Sequence, residues 1–119
     1  MRFEKRDDCY YDTKTGLEWS LKNCGPMTWQ DSVVFCEQLG NGWRLPTIEE
    51  LLTLVAYTKV DPMTELPDMM SSRYWSATTD VYDTRYAWHV YFNYGYDYSY
   101  RKSFNYYVRA VRGELKYAV

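Results

Sequence analysis

Apolar and polar side chains alternate one by one from Trp88 to Asn93, with Trp88, Val90 and Phe92 in one register and His89, Tyr91 and Asn93 in the other. A period of two marks a half-buried strand, whose neighbouring residues face opposite sides of a sheet. The first set is expected against a core and the second on the other face. Gly95 signals a turn or bulge. Beyond it the alternation persists as Tyr96, Tyr98 and Tyr100 against Asp97, Ser99 and Arg101. No aliphatic remains there to fill a core. The strand is therefore expected to leave the sheet at about residue 94 and to run on to Tyr106 as a polar, aromatic loop.

Earlier segments show other periods. Asp12 to Gly16 is a turn signal between an aromatic strand from Cys9 and the alternation Leu17, Trp19, Leu21, which predicts a hairpin. Asn23, Gly25 and Pro26 interrupt it. Thr28 with Asp31 three residues on begins a helix whose apolar face is Trp29, Val33, Cys36 and Leu39, and Gly40 and Gly42 end it. Thr47 and Glu50 form a capping box for a second helix with Ile48, Leu51, Leu52 and Val55 inward. Trp43 and Leu45 are expected in the core between the helices, and Arg44 as a buried arginine bonding loop carbonyls. Residues 59–72, with Pro62 and Pro67, are loop-like. Strands are expected at 74–78, with Trp75 inward, at 86–94, and at 106–112, with Val108 and Ala110 on one face. The fold class is α+β, two helices packed on a small antiparallel sheet, in one domain spanning 1–119.

Composition then sharpens attention on one stretch. The chain is 46% hydrophobic and 25% charged, both ordinary, but 19% aromatic. Nine of its fourteen tyrosines lie between Tyr82 and Tyr107, interspersed with Asn, Ser and Asp. A sheet uses a few tyrosines on one face. A run on both faces suits a binding surface better, because tyrosine combines apolar area with a hydrogen-bonding tip at the cost of two frozen torsions. Net charge is -2, which argues against a general nucleic-acid binder, although Arg85, Arg101, Lys102 and Arg109 make this stretch locally positive. No apolar run approaches a membrane span, and MRFEKRDD lacks the apolar stretch of a signal peptide. Those features leave location open between the cytoplasm and display on a virion or cell surface. Cys9, Cys24 and Cys36, without a CxxC pair and far from the lone His89, point to reduced cysteines rather than a zinc site, with a Cys9–Cys24 bridge as the lesser alternative.

Five ordered motifs carry a resemblance. Asp12-Thr13-Lys14-Thr15-Gly16-Leu17-Glu18-Trp19, the Thr28-Trp29 helix start and Gly42-Trp43-Arg44-Leu45-Pro46-Thr47 with Glu49-Glu50-Leu51 are three of them. Tyr74-Trp75-Ser76 and Tyr107-Val108-Arg109-Ala110-Val111-Arg112-Gly113 complete the set. Over about residues 8–113 the chain resembles the Lcl C-terminal-type domain, which implies a C-type-lectin-like fold. These motifs are scaffold, and fold membership does not name a ligand.

The region at about 74–112 also resembles the variable region of proteins diversified by retroelements. In those proteins a C-type-lectin-like fold holds a segment in which adenine-bearing codons are randomised. The resemblance implies variable positions at His89, Tyr91, Asn93, Tyr94, Tyr96, Asp97, Tyr98, Ser99, Tyr100, Phe104, Asn105 and Tyr106, with Trp88, Val90, Phe92 and Gly95 as framework. Strand alternation suits such a scheme, since every second residue can change without touching the core.

No catalytic or metal-binding pattern stands out. Asp80, Asp83 and Asp97 near His89 fall among turn residues, and the trio Ser76, His89, Asp80 lacks a strained Gly-x-Ser-x-Gly turn. Formylglycine-generating relatives of the fold use two late cysteines, whereas all three here precede residue 37. The Glu-Pro-Asn, Gln-Pro-Asp and Trp-Asn-Asp strings of calcium-dependent lectins do not occur. The expectation is a non-enzymatic binding domain without cofactor or metal. Its ligand-binding residues would be Tyr86, His89, Tyr91, Asn93, Tyr94, Tyr96, Asp97, Tyr98, Ser99, Tyr100, Arg101, Phe104, Asn105 and Tyr106. Its partner would be a protein, a cell-surface receptor among the candidates. Calcium-independent glycan binding is the alternative, and single-stranded nucleic acid ranks behind both.

Overall fold

A computed structural model describes residues 1–116. Its strands and helices run, in chain order, β1 (Phe3–Lys5), β2 (Cys9–Asp12), β3 (Glu18–Ser20), β4 (Cys24–Met27), α1 (Trp29–Gln38), α2 (Ile48–Leu52), β5 (Arg73–Thr79), β6 (Tyr86–Tyr91), β7 (Tyr96–Arg101), β8 (Tyr106–Val108) and β9 (Val111–Arg112). They form two sheets, ordered β1-β2-β3-β9 and β4-β8-β5-β6-β7. The α+β class holds, but the single small antiparallel sheet becomes two. One contact in the second sheet, Tyr74 with Tyr107 between β5 and β8, is parallel.

Local chemistry explains the helices. The Thr28 side chain accepts from the Asp31 amide at 3.3 Å and caps α1. The full capping box of Thr47 and Glu50 starts α2. Arg44 forks onto both oxygens of Glu50 at 2.6 and 2.7 Å and also donates to the Gly113 carbonyl. The capping carboxylate is thus tied to the end of the last strand. Leu39, expected on the buried face of α1, is exposed, since the helix ends at Gln38 and Leu39 is its C-cap. Trp43 is only half-buried, with the Arg112 guanidinium 4.2 Å over its ring.

In the second sheet the central strand β5 is covered on both faces and divides the interior. Tyr74 faces a core with Leu17, Trp19, Leu51, Leu54, Val90, Phe92 and Val111, roofed by α2. Trp75 points the other way, to Cys36, Ala87, Val108 and Ala110 with Trp29 and Val33 of α1. Two further donors pin this side together, Trp29 Nε1 to the Ser76 carbonyl at 2.8 Å and Trp75 Nε1 to the Met27 carbonyl at 3.0 Å.

Arg109 is the fully buried arginine of the fold, a role the sequence reading gave to Arg44. Its guanidinium donates to the carbonyls of Ser20, Leu21 and Pro67 and to Asn23 Oδ1. Those bonds hold the β3–β4 connection against the long 59–72 segment. The three cysteines are unpaired. Cys9 and Cys36 are buried, and burial pushes the Cys36 thiol up to about 12.

Candidate functional site

The tyrosine stretch is a β-hairpin, not a strand followed by a loop. All six residues of β7 pair with β6, from Tyr86 with Arg101 to Tyr91 with Tyr96. The expectation of a loop overlooked that an edge strand needs only backbone partners on one side and can carry side chains that fill no core. Gly95 closes the turn with φ +78°, its amide donating to the Tyr91 carbonyl at 2.8 Å. A Cβ at Gly95 would lie 2.9 Å from Met63 Sδ and 3.0 Å from Val55 Cγ1. Glycine is required there by both conformation and space.

Register sorts the stretch into two faces. On one, Ala87 lies opposite Tyr100, His89 opposite Tyr98 and Tyr91 opposite Tyr96, with Arg73 and Trp75 of β5 beside Tyr91 and His89. On the other, Trp88 lies opposite Ser99, Val90 opposite Asp97 and Tyr86 opposite Arg101.

The first face is a continuous aromatic surface. Tyr94 stacks on Tyr96 with centroids 5.6 Å apart and planes 3° from parallel, and Tyr96 meets Tyr98 edge-on at 4.9 Å. Tyr91 meets Tyr94 edge-on at 5.4 Å. From Tyr98 the contact passes over His89 to Tyr106, and from Tyr106 to Phe104 and Tyr100. Tyr94 is 56% exposed, Tyr96 39%, Tyr98 52%, Tyr100 42% and Phe104 41%. Five adjacent aromatic rings so exposed are not serving as core.

The predicted site residues separate accordingly. Tyr91, Tyr94, Tyr96, Tyr98, Tyr100, Phe104 and Tyr106 come together on this face. His89 lies beneath it, fully buried under Tyr98, Tyr106 and Trp75, so it presents no surface to a ligand. Neither ring nitrogen has a partner, and burial, with the Arg73 charge adding, lowers its pKa to about 4. Asp97, Ser99 and Arg101 occupy the opposite face, where Ser99 Oγ donates to Asp80 Oδ2 at 2.7 Å. They were expected among the ligand-binding residues but are turned away from the tyrosines, because alternation separates neighbours along a strand. Tyr86 sits at the start of β6 with its ring 6.5 Å from that of Tyr100. Asn93 is half-buried in the turn and Asn105 is exposed between β7 and β8. Trp88, expected in the core, is half-buried on the Ser99 side, near the sheet edge and outside the core that holds Val90 and Phe92.

Two cations border the face; sequence reasoning missed Arg73 and named Lys102 only for its charge. The Arg73 guanidinium lies 4.1 Å over the Tyr91 ring and 5.9 Å from that of Tyr106. Starting β5 at residue 73 instead of 74 would have found it, since Arg73 shares a face with Trp75. Lys102 Nζ lies 4.0 Å over Trp29, at the margin where α1 meets β7.

The remaining chemistry is not gathered here. Ser76 Oγ donates to the Trp88 carbonyl at 2.6 Å and Asp80 accepts from Ser99, so Ser76, His89 and Asp80 share no hydrogen bond. Among the described residues no three His, Cys, Asp or Glu side chains cluster as metal ligands, and no helix is long and apolar enough to cross a membrane. A concavity of about 530 Å³ lined by Leu21, Cys24, Phe35, Leu39 and Trp43 shares no residue with the aromatic face.

No curated protein matches the chain. A family model does, over residues 8–112, which takes in both sheets from β2 onward and the whole aromatic hairpin. The chain belongs to the Lcl C-terminal domain family.

Proposed function

We propose that this domain is a binding module of C-type-lectin-like fold and a variable protein of a diversity-generating retroelement, whose aromatic face on β6 and β7 recognises a protein ligand. One observation carries the reading. The rings of Tyr94, Tyr96, Tyr98, Tyr100 and Phe104 form one exposed surface that no core requires. A contiguous exposed aromatic patch on a small domain marks an interaction site, and tyrosines on a rigid hairpin lose little entropy on binding.

The separation of framework from surface supports the diversified reading. Of the four framework positions Val90, Phe92 and Gly95 are buried and Trp88 is half-buried, whereas every interleaved position but His89 touches solvent. Substitution at Tyr96, Tyr98 or Tyr100 alters the face without entering either core. The order of elements, two helices followed by a β-rich half whose last strand returns to β3, supports the C-type-lectin-like assignment. The face is broad and crowded by edge-on ring pairs, which favours a protein epitope over a single sugar ring stacked on an open aromatic face.

The test is parallel probing of a human and bacterial surface-protein array and a glycan array with the tagged domain and its Tyr96→Ser/Tyr98→Ser variant. Protein binding that the variant loses while keeping its fold is the expected result. Binding confined to neutral glycans, or untouched by the variant, would overturn the reading.

A further inference from the structure

Every arginine of the chain but two has a fixed partner among the described residues. Arg2 holds Asp12, Arg6 Glu4, Arg44 Glu50, Arg85 Asp83, and Arg112 both Asp8 and Glu18, while Arg109 is spent on carbonyls. Arg101 and Arg73 have none. Arg101 is exposed on the far side of the hairpin. Arg73 is half-buried within the aromatic face, held by the rings of Tyr91 and Tyr106.

No ion pair or hydrogen bond joins Arg73 to a carboxylate among the described residues, and Asp61, near the start of its strand, is bonded to Ser71. The nearby acids of the hairpin are elsewhere. Asp97 is on the opposite face, Asp80 is bonded to Ser99 and Asp83 to Arg85. Lys102 over Trp29 adds a second cation at the margin. A guanidinium seated on aromatic rings keeps its in-plane N–H fork free, and that fork matches a carboxylate bidentately. Covering the face with a ligand would strip water from Arg73, which costs heavily unless an anion arrives with the ligand.

We propose that Arg73 is a specificity-determining residue of the aromatic face, pairing with an Asp or Glu carboxylate on the protein ligand. The proposal rests on the binding-face reading above. It makes the tyrosines a general adhesive and Arg73 a fixed charge filter that survives their variation, because Arg73 lies on β5 outside the interleaved positions.

The experiment selects phage-displayed random dodecapeptides on the immobilised full chain. Enriched peptides are then titrated by fluorescence polarisation against the wild type, Arg73→Met and Tyr98→Ser, each as the acidic form and as its Asn/Gln counterpart. The expected result is enrichment of Asp and Glu, and a loss of about tenfold or more when either the peptide carboxylate or Arg73 is neutralised. Neutralising both should cost little beyond either alone. If Arg73→Met does not fold, the Asn/Gln peptide on the wild type reads the same pair from the other side. Peptides that depend on Tyr98 but bind equally well when neutral would overturn the charge filter and leave the face standing. Peptides indifferent to Tyr98→Ser would overturn the face itself. Binding restricted to sialylated or uronic glycans on an array run in parallel would overturn the protein source of the carboxylate.

Discussion

Phe92, where the hairpin turn leaves β6, and Tyr98 on β7 are close neighbours in the fold, yet their removal should have very different consequences. Phe92 is fully buried, edge-on to Tyr74 with centroids 5.5 Å apart. Its amide donates to the Ser72 carbonyl, and its own carbonyl accepts from the Met63 amide at 2.8 Å. Phe92→Ala removes a core ring that helices and loops cannot collapse to replace, at a cost of about 3–5 kcal/mol. Tyr98 is half exposed and meets Tyr96 edge-on at 4.9 Å. Tyr98→Ser forfeits that pair and part of the cover over His89, about 1 kcal/mol. For 119 residues the unfolding entropy is about 0.25 kcal/mol/K, so each kcal/mol moves Tm by about 4 °C. Thermal melts followed by circular dichroism at pH 7 should place Tyr98→Ser about 4 °C below the wild type and Phe92→Ala about 12–20 °C below it. Urea midpoints should rank the three proteins identically. A Tyr98→Ser variant that melts as low as Phe92→Ala would refute the division between scaffold and surface, because the tyrosine face would then be part of the core.

Two further outcomes follow from buried polar groups. Arg109→Met strands the carbonyls of Ser20, Leu21 and Pro67, and at about 1–3 kcal/mol for each unsatisfied group the variant should lose at least 3 kcal/mol or fail to fold, measured by its urea midpoint. His89 has a folded pKa of about 4 against an ordinary 6.5. The unfolded chain therefore binds the extra proton first, and this contribution to stability is complete above pH 6.5 and lost as pH falls toward 4. Between pH 7 and pH 5 the wild type should lose roughly 2 kcal/mol from this group alone. His89→Phe should match or exceed the wild type at pH 7 and lack that slope, and parallel slopes in urea titrations at the two pH values would contradict it.

Much of this architecture was legible from residues alone. Capping chemistry announces itself locally, and Thr28 and Thr47 begin their helices where their side chains can reach the third amide onward. Period two located β6, and its Val90, with Phe92 just beyond its end, is in the core as the alternation requires. The errors came where tertiary context decides. Nothing in Tyr96 to Arg101 distinguishes an exposed edge strand from a loop, because its partners are backbone groups of β6. His89 looked available because it alternates with core residues, but the rings of Trp75 and Tyr98 close over it. Tyr106 returns from β8 to bury it. Arg44 and Arg109 both sit in strand-like surroundings, and only the packing of the 59–72 segment decides which of them is enclosed. The residues of the aromatic face were legible as a group. Their division into two faces needed the register, and Arg73 needed the true start of β5.

The most direct test of the account is to sequence this gene and its flanking DNA from many members of the natural population. Amino-acid differences are expected to concentrate at Tyr91, Tyr94, Tyr96, Tyr98, Tyr100, Phe104 and Tyr106 and neighbouring exposed positions. Arg73, Trp75, Val90, Phe92, Gly95 and Arg109 should be unchanged, and an adenine-rich template copy and a reverse transcriptase should lie nearby. An invariant hairpin, or differences scattered equally through core and surface, would contradict it.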